Sequence, residues 1–178
     1  MTTLTDGDIK SLGRTMIQPF YRDLVQPVSY ECTLARTFLS ARRSSEPIDP
    51  MNLSPEIWSV SETDKFVLQR GEFVLASTVE RITLPDDILA HVHGKSTLGR
   101  CALLVHATAG LVDPGWDGTI TLELRNIGPR PILLSAGMPI CQLMFERLDR
   151  PVDRPYGSPG LGSHYQGQTT TRPGESLC

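Results

Sequence analysis

HGKSTLGRCALLVHATAGLVDPGWDGTITLELRN, residues 93–126, carries the pattern on which the fold turns. From Thr119 the residues alternate: Thr119, Thr121, Glu123 and Arg125 point one way and Ile120, Leu122 and Leu124 the other, the period of a half-buried β-strand. A turn precedes the strand, Asp113-Pro114-Gly115-Trp116-Asp117-Gly118, in which proline presets φ and glycine relaxes the backbone. Before it lie an apolar run, Cys101 to Val112, and a polar turn at Gly94-Lys95-Ser96-Thr97. Lys95, the two hydroxyls and Arg100 supply cations and donors suited to phosphate, while Gly94 and Gly99 let the backbone approach a ligand closely. By composition this is an anion site.

Working outward, short apolar strands recur with turn residues between them: FVLQ (66–69), GEFVLASTVERITLP (71–85) and ILAHVHG (88–94). Beyond Asn126, IGPRPILLSAGMPICQLMFERL adds two more strands around an Ala136-Gly137 turn. Such spacing argues a mainly β fold, an all-β barrel or jelly roll, rather than alternating β and α units. At the start, Thr5 is positioned as the N-cap of a short helix to Leu12, with Asp8 as its capping partner and Gly13 ending it. LVQPVSYECTL (24–34) reads as an extended segment leading into a strand, and Ala41 to Ser61 as a polar surface loop without chemistry, Arg42-Arg43 being merely solvated. From Asp149 the composition shifts to Pro, Gly, Ser and polar residues, which predicts a C-terminal lid or tail over 150–178 whose last ten residues are disordered.

A chain of 178 residues, 39% of them hydrophobic, suits a single domain over 1–178 with a substantial core. A net charge of −3 offers no general attraction to nucleic acid, so an anionic partner must be small and met by local cations. No apolar stretch is long enough to span a bilayer. Cys32, Cys101, Cys141 and Cys178 are scattered without C-x-x-C spacing and nothing resembles a secretory signal, so a reducing cytoplasm is expected.

Two carboxylates bracket the turn and the strand. Asp113 ends the apolar run and Glu123 sits mid-strand on the polar face, so both converge with the phosphate-type loop on one pocket unless that face is simply solvated. His91 and His93 share a strand face, but with no third ligand at suitable spacing they read as core-edge or interface residues. His106 is expected to hydrogen-bond inside the core. Gln142, alone among apolar neighbours, either borders a ligand or satisfies a buried backbone group.

GKSTLGR, HATAGLVDPGWDG and TLEL, in that order, resemble the dCTP deaminases of the trimeric dUTPase-like superfamily, and GMPICQLMF and PYG…SHYQGQ extend the likeness. It covers residues 60–168 closely and 1–60 loosely: where the family reads QPSSIDLRL, this chain has Val28, Tyr30 and Glu31. The resemblance implies a dUTPase-like barrel with a short N-terminal helix and a flexible C-terminal arm, a homotrimer with three sites, and dCTP as substrate. By the same resemblance Glu123 is the base for the water that attacks C4 of cytosine, Ser96 and the Ala109 carbonyl hold that water, and Arg100 orients the carboxylate. Lys95, Ser96, Thr97, Leu98, Gly99 and Arg100 belong to the segment that contacts phosphate, on a neighbouring subunit's ligand. Asp113 takes the 3′-hydroxyl, Trp116 walls the sugar, Thr121, Leu122 and Glu123 read the base edge, and Gln142 borders the nucleotide.

Tyr156, His164 and Gln168 fall where the family's arm closes over the triphosphate; His164 stands in place of the family lysine, which implies weaker phosphate binding at alkaline pH. Zinc deaminases need H-x-E followed by P-C-x-x-C, and neither is present, so deamination here is expected to use a carboxylate and a water without zinc. Magnesium is implied only through the triphosphate, with no metal ligand from the protein. After HATA, Gly110-Leu111 resembles the bifunctional members that also cleave the triphosphate to dUMP and pyrophosphate, leaving room beside Asp113 for a second water. A tight backbone ahead of the turn is the plain alternative for Gly110. Three other readings stand beside the bifunctional one: a deaminase releasing dUTP, a dUTPase, and a silent nucleotide-binding regulator.

Overall fold

The structure, a computed structural model, describes residues 1–176. In chain order come strand β1 (Thr2–Thr3), helix α1 (Asp6–Met16), and strands β2 (Ile17–Gln18), β3 (Val25–Gln26), β4 (Ser29–Thr33) and β5 (Thr37–Ala41). β6 (Trp58–Glu62), β7 (Lys65–Leu68), β8 (Phe73–Thr83) and β9 (Ile88–His93) follow. A one-turn helix α2 (Ser96–Arg100), then β10 (Leu103–Leu104), β11 (Leu111–Val112), β12 (Asp117–Asn126), β13 (Ile132–Ser135) and β14 (Pro139–Arg147) complete the order.

The strands make two six-stranded sheets, β11-β9-β14-β4-β3 with β1 on β14, and β10-β12-β8-β5-β6 with β2 on β8; β7 and β13 form a separate ribbon. Sequence neighbours such as β8 and β9 lie in different sheets, and side chains of both sheets meet in one apolar cluster that includes Tyr30, Phe38, Leu122 and Phe145. This is the expected jelly roll. Each fully buried large side chain contributes roughly 1.5–3 kcal/mol. Burial pushes the Tyr30 hydroxyl up to about 12, and its oxygen accepts the Tyr21 amide at 3.0 Å.

The capping box at Thr5 and Asp8 is present, so α1 starts where its sequence directs. It does not stop at Gly13. That glycine is buried against the Phe20 ring, where an added Cβ would sit 2.3 Å from a ring carbon, so its bareness seats an aromatic and the helix runs on to Met16. The expected loop over Ala41–Ser61 is shorter than its polarity suggested, because β6 pairs along β5 from Ala41↔Trp58 to Thr37↔Glu62. The Gly94–Thr97 turn likewise runs into helix from Ser96, and neither Gly94 nor Gly99 adopts a positive φ.

Scattered in sequence, Cys32 and Cys141 face each other across β4 and β14, buried and unbridged. The hydrogen bond between them and the loss of solvent hold the Cys32 thiol well above its usual range. Cys178 lies outside the described residues. Nearby, the buried Glu80 carboxylate accepts the Thr33 amide and hydroxyl, both at 2.8 Å, while burial raises its pKa.

Candidate active site

The Asp113-Pro114-Gly115-Trp116 segment is a tight turn in which the Trp116 amide donates to the Asp113 carbonyl at 3.1 Å and Gly115 has φ +86°. A side chain at Gly115 would also overlap Pro155, its Cβ lying 2.5 Å away, so glycine is required twice: by the turn and by the segment resting on it. The turn leaves Asp113 exposed and swings Trp116 inward, where its indole donates to the Gly118 carbonyl at 3.1 Å. The Tyr156 ring lies 5.3 Å from that indole.

β12 departs from strict alternation at one place. Its register against β8 shifts between Thr119 and Thr121, a bulge that turns Ile120 toward the same cavity as Thr121 and Glu123 and leaves Thr119 buried. Thr121 and Glu123 on the polar face of β12 therefore line a cavity, while Arg125 near the strand end stays exposed. Glu123 is held by the HATA loop: its Oε2 accepts the Ala107 amide at 2.7 Å and the Thr108 amide at 3.1 Å, while Oε1 has no protein partner among the described residues.

These groups line a cavity of about 440 Å³. Ala109, Leu111, Asp113, Trp116, Thr121 and Glu123 form one wall, and Tyr156, Tyr165 and Gln168 of the arm form another. The arm is pinned at Gln168, which is buried, donates from Nε2 to the Thr121 hydroxyl at 3.1 Å, and pairs its own carbonyl with the Thr119 amide at 3.0 Å. Loss of solvent raises the Tyr156 pKa, and its hydroxyl accepts the Tyr165 amide at 3.2 Å.

Residues 169–176, expected to be disordered, pack back on the barrel because Thr171 is buried, its hydroxyl donating to the Thr37 carbonyl and hydrogen-bonded to the Ser77 hydroxyl, each at 3.0 Å. Residues 177 and 178 lie outside the described residues. Trp58, Phe73, Leu75 and Arg172 are among the cavity-lining residues that sequence reasoning missed. The available signal for Trp58 was an isolated indole in a polar stretch.

Other expected site residues lie elsewhere. Lys95, Ser96, Thr97, Leu98, Gly99 and Arg100 ride on the N-cap and helix of α2, outside this cavity, and Lys95 is ion-paired with Glu31 on β4. Gln142 acts structurally within the chain: its Nε2 donates to the Gly94 carbonyl at 3.2 Å and its Oε1 accepts from Ser29 at 3.1 Å, fixing the start of α2. His164 is exposed, 3.3 Å from a Glu175 oxygen and outside the cavity.

Leu122 is a core residue, so only its backbone is available to a ligand. Gly110 has no positive φ; what its bareness accommodates is the His106 ring, 3.2 Å from where a Cβ would be. The expected core hydrogen bond of His106 is missing, since its Nδ1 is buried without a partner among the described residues. Among those residues no three His, Cys, Asp or Glu side chains gather where they could hold a metal ion.

A jelly roll whose carboxylate-bearing strand and C-terminal arm enclose one cavity defines a class, and this chain belongs to it: the dCTP deaminase-like family, whose model matches residues 3–148. Within that family it is 49% identical over 172 residues to the protein named dCTP deaminase, dUMP-forming, of Beutenbergia cavernae, covering 93% of this chain and 90% of that one. The 2′-deoxycytidine 5′-triphosphate deaminase of Agrobacterium tumefaciens shares the fold, with a TM-score of 0.66 and 24% identity over 82% of this chain. This chain spans 48% of that one's length. A mutant dUTPase from phage phi11 of S. aureus is alike in fold too, with a TM-score of 0.51, 12% identity, and 76% of this chain and 86% of that one covered.

Proposed function

We propose that this protein is a dCTP deaminase of the dUMP-forming kind, and that Glu123 is its general base. The observation that carries this is the asymmetric carboxylate: two backbone amides fix Oε2 while Oε1 is left for a water. Oε1 takes a proton from that water as its oxygen bonds to C4 of cytosine. The Ala109 carbonyl and, from another subunit, Ser96 hold the water. Returning the proton to the amino nitrogen as the C4–N bond breaks releases ammonia and leaves a uracil.

Asp113 in the cavity wall is the acceptor for a 3′-hydroxyl, and Trp116, buried 5.3 Å from the Tyr156 ring, walls the sugar against an added 2′-hydroxyl. The backbone at Thr121, Leu122 and Glu123 reads the base edge. Lys95, Thr97, Leu98, Gly99 and Arg100 lie on α2, outside the cavity of their own chain, which supports a homotrimer in which α2 serves a neighbouring subunit's ligand. Magnesium carried by the triphosphate would supply positive charge to the departing pyrophosphate. The shared core supports a single unit over 1–178 with 150–178 as its arm. No helix among the described residues is long and apolar enough to cross a membrane.

Formation of dUMP is supported by the 49% identity to a dUMP-forming relative and by Gly110-Leu111 beside Asp113. Purified protein given dCTP and magnesium is expected to yield dUMP, pyrophosphate and ammonia in equal amounts. Accumulation of dUTP one-for-one with ammonia, without pyrophosphate, would overturn the second step; hydrolysis of dUTP alone would make it a dUTPase; binding without products would leave a regulator.

A further inference from the structure

The cavity wall contains two acids, Asp113 and Glu123, and among the described residues a single basic side chain, Arg172. Neither Lys95 nor Arg100 reaches this cavity within the chain, and His164, where the family lysine would stand, turns outward to Glu175. A triphosphate carries about four negative charges at neutral pH and is met best by a planar, permanently charged guanidinium. Arg172 is placed for that work by its neighbour: buried Thr171 is bonded to Thr37 and Ser77 of the β5–β8 layer, which fixes the chain direction one residue earlier. Its guanidinium is held from behind, with Nη1 donating to the His164 carbonyl at 3.5 Å and Nη2 ion-paired with Glu175. Glu175 is positioned in turn by donating its amide to the Tyr165 hydroxyl at 3.0 Å.

We propose that Arg172 is a phosphate-binding residue of the active site, supplying from the end of the arm the positive charge that His164 does not, with Glu175 holding the guanidinium in place until the nucleotide's phosphates take it over. This rests on the dCTP reading above. It replaces the alkaline loss of phosphate binding expected from His164, because a guanidinium stays charged throughout the working range.

The test uses the full chain as Arg172→Gln, Arg172→Lys and Glu175→Gln, measuring ammonia release from dCTP for kcat and KM, and calorimetric binding of dCTP and of deoxycytidine. Arg172→Gln is expected to weaken dCTP about tenfold or more, as loss of a charged hydrogen bond does, while leaving deoxycytidine binding unchanged. Arg172→Lys should recover part of the loss. Glu175→Gln separates this from a structural clasp: it breaks the same ion pair yet leaves a phosphate-binding arginine, so dCTP affinity should hold or improve. Equal weakening by Arg172→Gln and Glu175→Gln, or dCTP affinity within twofold of wild type in Arg172→Gln, overturns the assignment. Wild-type protein that binds dCTP but releases no ammonia defeats the deaminase reading instead, and the binding series still decides the role of Arg172.

Discussion

Replacing Glu123 by glutamine isolates proton transfer from everything else the carboxylate does. Both amides that hold Glu123 converge on Oε2, so the single carbonyl oxygen of glutamine can accept from Ala107 and Thr108 as before, and only the group facing the water changes. The fold should therefore survive. Alanine would be a poorer choice, because it removes the acceptor of both backbone amides and so frees the loop that carries Ala107 and Thr108. A positioned general base contributes roughly 10²–10⁴-fold to rate, so Glu123→Gln is expected to lose at least about a hundredfold in kcat with dCTP affinity nearly intact. Ammonia release gives the rate and calorimetry the affinity. Turnover within tenfold of wild type would refute Glu123 as the base.

Gly115→Ala forces a side chain into the left-handed region and against Pro155; the backbone term alone costs about 1–2 kcal/mol, so the arm loosens and KM for dCTP rises about tenfold, read by steady-state kinetics. An unchanged KM would mean the arm does not need that contact. Mixing inactive Glu123→Gln with inactive Arg100→Ala and allowing subunits to exchange should restore about a quarter of wild-type activity, since random assembly reunites an intact α2 with an intact Glu123 at that frequency. No recovery after verified exchange would place both groups in one protomer's site. Glu80 is held above its usual pKa by burial, so its protonated form favours the fold: that contribution is complete below the ordinary glutamate range and fades as pH rises through the folded value. Urea midpoints of wild type relative to Glu80→Gln should fall over that interval, and a flat difference would contradict the sign.

What could be read from the sequence was local. The alternation of Thr121 to Arg125, the capping box at Thr5 and Asp8, and the Asp113-Pro114-Gly115 turn each depend on residues a few positions apart, and each is found in the structure. What escaped depends on distant partners. Thr171 looks like any tail threonine until it meets Ser77, and Cys32 acquires Cys141 only when β4 and β14 pair. Gly13 mimics a helix stop because the ring that needs its missing side chain, Phe20, comes after the helix. The bulge at Thr119 answers to its register on β8, which no single-strand pattern contains. Within the candidate site, Glu123 and Asp113 were legible through turn and strand chemistry and Trp116 through the family resemblance, whereas Trp58 and Arg172 reach the cavity only by tertiary packing.

The burial of Thr171 has a topological consequence. Covering residues that precede a free end swing like a door, but here the segment from Tyr156 to Gln168 is moored on both sides, by the amide of Tyr156 on the Pro114 carbonyl and by Thr171 on Ser77. Nucleotide exchange must then proceed beneath a bridge instead of around a tip. Cutting the chain just before Thr171 would turn the bridge into a door, so such a truncation should hasten product escape while weakening the grip on substrate.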